Sequence, residues 1–420
     1  MQPAYSQEPQ TYWDSGNLAA SIVYGRRKYS AGVVVGTKIY AIPRDQNDVG
    51  VIDTVTGNFS KIATNLMQLH KYIAGVAVGT KVYAIPYLQN NVGVIDTVDG
   101  TFSTIVTNLN GQHKYSAGVA VGTKVYAIPQ NQDDVGVIDT VAGTFLKIAT
   151  SLTGNDKYRA GVAVGTKVYA IPFNQDDVGV IDTVAGTFLK IATNLTGINK
   201  YSAGVAVGTK IYAIPYRQDN VGVIDTVTGT FSKFATTGVT GNAKYSAGVA
   251  VGTKVYAIPK NQNNIGVFDT VTDTFSFINT IGVGGPSKYS AGVAFGTKVF
   301  AIPYYQGDVG VIDTVAGTFS TIRTGLGTTS FPRYSAGVVV GTKVYAIPYY
   351  KNDVGVIFPT CSVGYTVDEN AICTAVVGLG CSLVDELRGC DATTLAKIKQ
   401  FYNKHPEKNM PSQCSGILTV

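Results

Sequence analysis

His70 and His113 stand 43 residues apart at equivalent places in a repeated pattern, and Asp156 holds the same place in the next copy. Imidazole and carboxylate on adjacent loops form a donor set that can share a metal. Polar loop residues give the same pattern, however, and the chain has only three His in all, so no metal is assigned. A second recurring carboxylate is Asp53, Asp96, Asp139, Asp182, Asp225, Asp269 and Asp313, each opening an Asp-Thr-Val segment. There the Asp side chain can close a turn on its own backbone, which explains it without chemistry. No Ser/His/Asp set, Gly-rich phosphate loop or Cys/His ligand spacing stands out, and neither a catalytic residue nor a cofactor is assigned.

The remaining reactive side chains come in rings. Lys28, Lys71, Lys114, Lys157, Lys200, Lys244, Lys288 and Arg333 each precede a Tyr. Each cation either pairs with a neighbouring loop carboxylate or carbonyl while its Tyr packs between repeats, or joins a ligand surface. For that second reading the candidates are Lys71, Lys114, Lys157 and Lys200. A Gln ring runs from Gln46 to Gln306, with Lys351 in its last place. The most divergent well-aligned positions are the two that follow each Ile-Pro. They hold Tyr87, Phe173 and Tyr216 in three copies, and the pairs Tyr304-Tyr305 and Tyr349-Tyr350 in the last two. Four aromatics on adjacent units, rimmed by polar residues, form a candidate binding hot spot.

These rings need a scaffold that repeats. A segment close to KYSAGVAVGTKVYAIP recurs eight times at intervals of 43 to 45 residues, a period in the propeller range. The third copy divides into strand a (116–121), strand b (124–129), strand c (135–139) and strand d (144–150), all rich in Val, Ile, Tyr, Phe and Thr. Gly122-Thr123 reads as a two-residue hairpin, and Asp139 to Gly143 as a wider turn. Strand direction places the a-b and c-d turns on one face, the turn face. The longer b-c and d-a loops, with the rings above, fall on the other, the loop face.

The eighth copy stops after Val354-Gly-Val-Ile-Phe358, without a strand d. The N-terminal Asp14-Ser-Gly-Asn-Leu18 followed by Ile22 resembles the first copy's turn and strand d, so it is expected to complete the eighth unit and remove the open edges. The expected fold is all-β: an eight-bladed β-propeller of four-stranded blades over residues 14–358, after an N-terminal extension at 1–13. The alternative is an open or seven-bladed array with one stray unit.

The unit KYSAGVAVGTKVYAIPxxQxDVGVIDTVAGTF resembles the YVTN or YncE-like propeller repeat over residues 28–358, chiefly in its VYAI and VGVIDT segments. It departs where that family has a Ser-Pro-Asp-Gly turn (here Val-Gly-Thr-Lys) and where Thr-Asn ends strand b (here Ile-Pro). Kelch repeats are similar in period but carry a Gly-Gly doublet that is absent here, and Phe59, Phe102 and their counterparts stand at the usual Trp place. The resemblance implies a binding scaffold more often than an enzyme, and fold alone does not choose between them.

Composition excludes some classes. Charged residues are 14% of the chain against about 25% in ordinary domains. A net charge of +6 is too mild for a nucleic-acid partner. The longest apolar run, 371–381, is too short for a membrane span. All five Cys (Cys361, Cys373, Cys381, Cys390 and Cys414) lie in residues 359–420, a Cys-containing appendix with a helix expected over 392–404 after Asp391. Residues 361–373 resemble the closing half of an EGF-like module. Clustered Cys imply disulfides and an extracellular or cell-surface site, the other reading being a reduced tail with buried thiols. The sequons at Asn58 and Asn194 accord with secretion. The N-terminal MQPAYSQEPQTYW has no signal-like stretch, so secretion would imply a leader already removed. The functional expectation is a non-enzymatic scaffold holding a protein partner on the loop face. The alternatives are a multivalent glycan-binding lectin and, last, an enzyme at the channel mouth.

Overall fold

The computed structural model describes residues 10–14, 25–327, 330–360, 365–367 and 373–375. Residues 11–358 form one compact unit, and residues 1–10 with 359–420 form the other. In the second unit the described elements beyond 360 are a hairpin of Tyr365–Val367 with Cys373–Ala375. The expected helix over 392–404 and the positions of Cys361, Cys381, Cys390 and Cys414 lie outside the described residues.

The first unit is an eight-bladed propeller of four-stranded sheets. Blade 3 shows the pattern, with strands Tyr115–Val121, Lys124–Pro129, Val135–Asp139 and Thr144–Ile148 in antiparallel order from inside to outside. Val121 pairs with Lys124 across Gly122, whose φ of 59° is the left-handed conformation that a two-residue turn demands. Asp139 Oδ1 accepts the amides of Val141 and Ala142 at 3.1 and 2.9 Å, closing the expected Asx turn. Strand d ends two residues early because Thr150 turns away, its hydroxyl donating to the Asp133 carbonyl while accepting from Leu152 N.

The core lies between blades. Tyr126, Ile128, Val135 and Val137 of blade 3 pack on Tyr158, Val168, Ala170 and Ile181 of blade 4. Strands b and c are therefore buried on both faces, and each buried Val or Ile contributes about 1.5–3 kcal/mol. Strand c carries a Gly because two rings close over it. A Cβ at Gly136 would lie 2.8 Å from the Phe145 ring and 2.9 Å from the Tyr115 hydroxyl.

The ring is closed. Tyr29, Ile39 and Ile52 of blade 1 share a core with Tyr345, Ile347 and Val356 of blade 8. The outer strand of blade 8 comes from the N-terminus, as expected, but it is Gln10–Asp14. The expectation placed that strand after Asp14, around Leu18 and Ile22, and residues 15–24 lie outside the described residues. The reason for the shift is Trp13. Its ring comes within 2.0 Å of where a Gly355 Cβ would sit, doing for blade 8 what Phe145 does over Gly136. Residues 15–24 hold no Phe or Trp to cover that Gly. Trp13 also meets Tyr334 edge-on at 5.6 Å, and Tyr12 meets Phe358 at 6.3 Å.

Candidate functional site

Each repeat-opening cation immediately precedes strand a, the innermost strand, and each post-Pro residue follows strand b. Their backbones bond alternately around the channel mouth. Arg44 N donates to Lys28 O, Lys71 N to Arg44 O, Tyr87 N to Lys71 O, and so on to Lys28 N, which donates to Tyr349 O. Sixteen bonds, two per blade, form a circle at 2.7–3.0 Å. This belt fixes where each divergent side chain stands.

The cation ring lies inside the belt. Lys71, Lys114, Lys157 and Lys200 are 0% exposed, so they do not reach the surface. Lys114 Nζ donates to Leu88 O at 2.9 Å and Gly111 O at 2.7 Å, and the other Lys make similar bonds to carbonyls. Burial pushes Lys28 and Lys114 down to about 8 and lowers Lys71 and Lys288. The Tyr ring is buried as well, and its phenols are raised by desolvation. The Gln ring turns inward: Gln132, Gln175, Gln218 and Gln262 each donate to a carbonyl of the preceding d-a loop.

Most of the divergent positions are half-buried at the mouth, while Gln130 and Tyr349 are buried. In one arc, Phe173 meets Tyr216 at 5.6 Å, and Lys260 lies 5.1 Å over the Tyr216 ring. Arg159 lies 5.3 Å over Phe173. It stands where most copies have Ser, in the bulge that opens strand a, and a bulge re-aims a side chain. In the other arc Tyr304, Tyr305, Tyr349 and Tyr350 touch in series, with ring centroids at 5.2, 6.0 and 5.5 Å. Arg44 sits between Tyr349 and Tyr87, at 5.9 and 5.4 Å from their centroids. Phe331 stacks on Tyr350 at 5.7 Å, and Arg26 lies over Phe331. The structure thus brings together the four tyrosines selected from sequence and adds Arg44, Arg26 and Phe331 to them. Arg159 was legible as a departure from KYSAG; Arg26 and Phe331 lie outside the repeated unit and gave no signal.

His70 and His113 are engaged separately. His70 bonds Arg27 Nη1 at 2.5 Å and Arg44 Nη2 at 3.2 Å, and burial followed by the Arg44 charge lowers its pKa. His113 stacks on Tyr87 at 4.6 Å. Among the described residues no three His, Cys, Asp or Glu side chains converge, and no helix is long and apolar enough to cross a membrane.

The second post-Pro residue divides the copies into two sets. Asp45, Asn131, Asn174 and Asn261 accept the amide of the left-handed residue before the next Lys, at 2.8–2.9 Å. Leu88, Arg217, Tyr305 and Tyr350, at the same position in the other four copies, have no side-chain carbonyl or carboxylate for this.

No protein-family model and no curated protein matches the chain. Solved structures do. The computationally designed Ika8 protein is similar at a TM-score of 0.63 and 15% identity, covering 80% of this chain and 98% of that one. BamB from Moraxella catarrhalis follows at 0.59 and 15%, covering 84% and 98%. Virginiamycin B lyase from Staphylococcus aureus gives 0.53 and 11%, covering 68% and 94%. At these identities the likeness shows the fold alone: the chain is a β-propeller resembling a designed protein, BamB and a lyase.

Proposed function

We propose that this chain is a non-enzymatic propeller scaffold of the YVTN or YncE-like kind that holds a protein partner on its loop face, over blades 7, 8, 1 and 2, outside the cell or at its surface. The observation that carries the reading is the contiguous cluster of Tyr304, Tyr305, Tyr349 and Tyr350 around Arg44. Tyr and Arg are the side chains that dominate interface energetics. The cluster is asymmetric, whereas the repeated Gln and Lys that a multivalent lectin would use bond within the chain. The VYAI and VGVIDT segments form strands b and c, which supports the family reading. Clustered Cys support an oxidising compartment.

The test is affinity capture with the immobilised full chain and with a variant carrying Tyr304→Ala, Tyr305→Ala, Tyr349→Ala and Tyr350→Ala. Recovery of a partner by the parent and not by the variant is the expected result. Equal recovery by both overturns the assignment.

A further inference from the structure

We propose that the loop face over blades 7, 8, 1 and 2 receives an acidic peptide segment of the partner, its carboxylates held by Arg26, Arg27 and Arg44 among the tyrosine rings. This rests on the protein-partner reading and names its chemistry.

The first observation is that the buried lysines are only partly compensated by direct ion pairs. Lys157, Lys200 and Lys244 each face a carboxylate, Asp133, Asp176 and Asp219, at 2.9, 2.8 and 2.9 Å. The same loop position is Asn352, Asn47, Asn90 and Asn263 in front of Lys28, Lys71, Lys114 and Lys288. Among the described residues those four ammoniums meet carbonyl or amide oxygens. Lys28, for example, bonds Gly25 O at 2.6 Å and Tyr350 O at 3.0 Å. With no carboxylate in direct contact these buried cations are offset only at a distance, Lys28 by Asp353 and Lys71 by Asp45 and Asp48, and they leave a residual positive field. Three of the four, Lys28, Lys71 and Lys114, lie under the tyrosine and arginine arc, while the compensated lysines lie under the opposite one.

The second observation is the arc itself. Arg26 is exposed, Arg27 and Arg44 are half-buried, and Asp45 beside them, which accepts from His70 N at 2.8 Å, offsets one of their three charges. Asp48 lies by Lys61 at 4.0 Å. Arg44 Nε is buried with no hydrogen-bond partner among the described residues, although its guanidinium lies between two rings. That Nε is out of a ligand's reach, so a carboxylate would meet the other guanidinium nitrogens of Arg44 together with the exposed Arg26 and half-buried Arg27, all weakly hydrated cations suited to carboxylates. The four tyrosine rings meet at 37–77°, so they form no shared flat platform on which a sugar chain could stack. An acidic peptide fits this arrangement better than a neutral glycan.

Fluorescence anisotropy on the full chain tests the inference, with fluorescein-labelled hexaglutamate as probe and hexaglutamine and a hexauronate oligosaccharide as comparisons. Hexaglutamate is expected to bind at least about tenfold more tightly than hexaglutamine, and Arg44→Gln to weaken it about tenfold, as for one lost charge-assisted hydrogen bond. The combined Asn47→Asp and Asn90→Asp variant installs the carboxylates that blades 3 to 5 already carry, so it keeps the fold and is expected to weaken binding as much. Lys147→Gln, on the outer strand of blade 3, is expected to leave it unchanged. No preference for hexaglutamate, or no effect of the Asn→Asp pair, overturns the inference. Tighter binding of hexauronate also overturns it and assigns a glycan instead. If capture of the partner still depends on the four tyrosines while hexaglutamate fails to bind, the acidic segment falls and the docking face stands; if the tyrosines are also dispensable, both fall.

Discussion

The Lys28 amide donates to the Tyr349 carbonyl at 2.8 Å, tying the first blade to the last at the channel mouth. Farther out, the same two blades meet through the core shared by Tyr29, Ile39, Tyr345 and Ile347. Closure therefore has an inner part made of backbone bonds and apolar packing, and an outer part made by Trp13 over Gly355.

The outer part can be weakened alone. Trp13→Ala is expected to lower stability by about 3 kcal/mol, the cost of deleting a large ring. Trp13→Phe, which copies the other seven blades, is expected to cost no more than about 1.5 kcal/mol. Urea denaturation measures both. Trp13 is also the only Trp in the chain, so its emission in the parent protein reports this strand specifically. Equal midpoints for the Ala and Phe variants would contradict the role assigned to the ring.

Two glycines seven residues apart, Gly136 and Gly143, separate crowding from strain. Gly136→Ala drives a methyl into Phe145 and is expected to cost about 2 kcal/mol. Gly143→Ala meets open space but keeps a φ of 66°, and is expected to cost about 1 kcal/mol. Adding Phe145→Leu should recover part of the first loss and none of the second, a double-mutant comparison read from urea midpoints.

The buried rings predict an alkaline stability optimum. Lys28 and Lys114 titrate at about 8 in the folded protein because burial disfavours their charge, and about 10.4 is usual for an exposed Lys. Between those values the unfolded chain binds more protons than the folded one, so stability rises with pH. Tyr29, Tyr72 and Tyr115 are raised by burial, so above about 10 the unfolded chain loses phenolic protons that the folded chain keeps, and stability falls. The urea midpoint should climb from pH 7 to about 9.5 and then decline. The Asn47→Asp and Asn90→Asp pair should flatten the climb by compensating Lys71 and Lys114. A midpoint that only falls above pH 7 would contradict this account.

Periodicity made the blades, the Gly122 and Asp139 turns and the doubly buried strands legible, because identical local chemistry recurs eight times. The start of the closing strand was misplaced by one segment. Asp14 looked like a turn Asp, whereas Trp13 was a chemical stand-in for Phe that alignment to DTVxGTF does not register. The lysine ring was visible as a pattern but not as a buried one. Its burial depends on carbonyls such as Leu88 O and Gly111 O, which belong to loops of no fixed sequence. At the candidate site, the Tyr304 to Tyr350 set could be picked out because it departs from the repeat. The placement of Arg44 between Tyr87 and Tyr349 depends on blades 1, 2 and 8 meeting, which closure alone provides.

The belt at the mouth has one more property. Its sixteen N–H to O=C bonds all run from donor to acceptor in the same sense round the ring, so their dipole components in the plane of the mouth cancel. Unlike a helix, the belt has no positive or negative end and leaves no terminal donor or acceptor. The belt thus favours no one blade over another. Whatever distinguishes one half of the mouth from the other is written in side chains alone, on a frame that can be recoded blade by blade without turning the field of its neighbours.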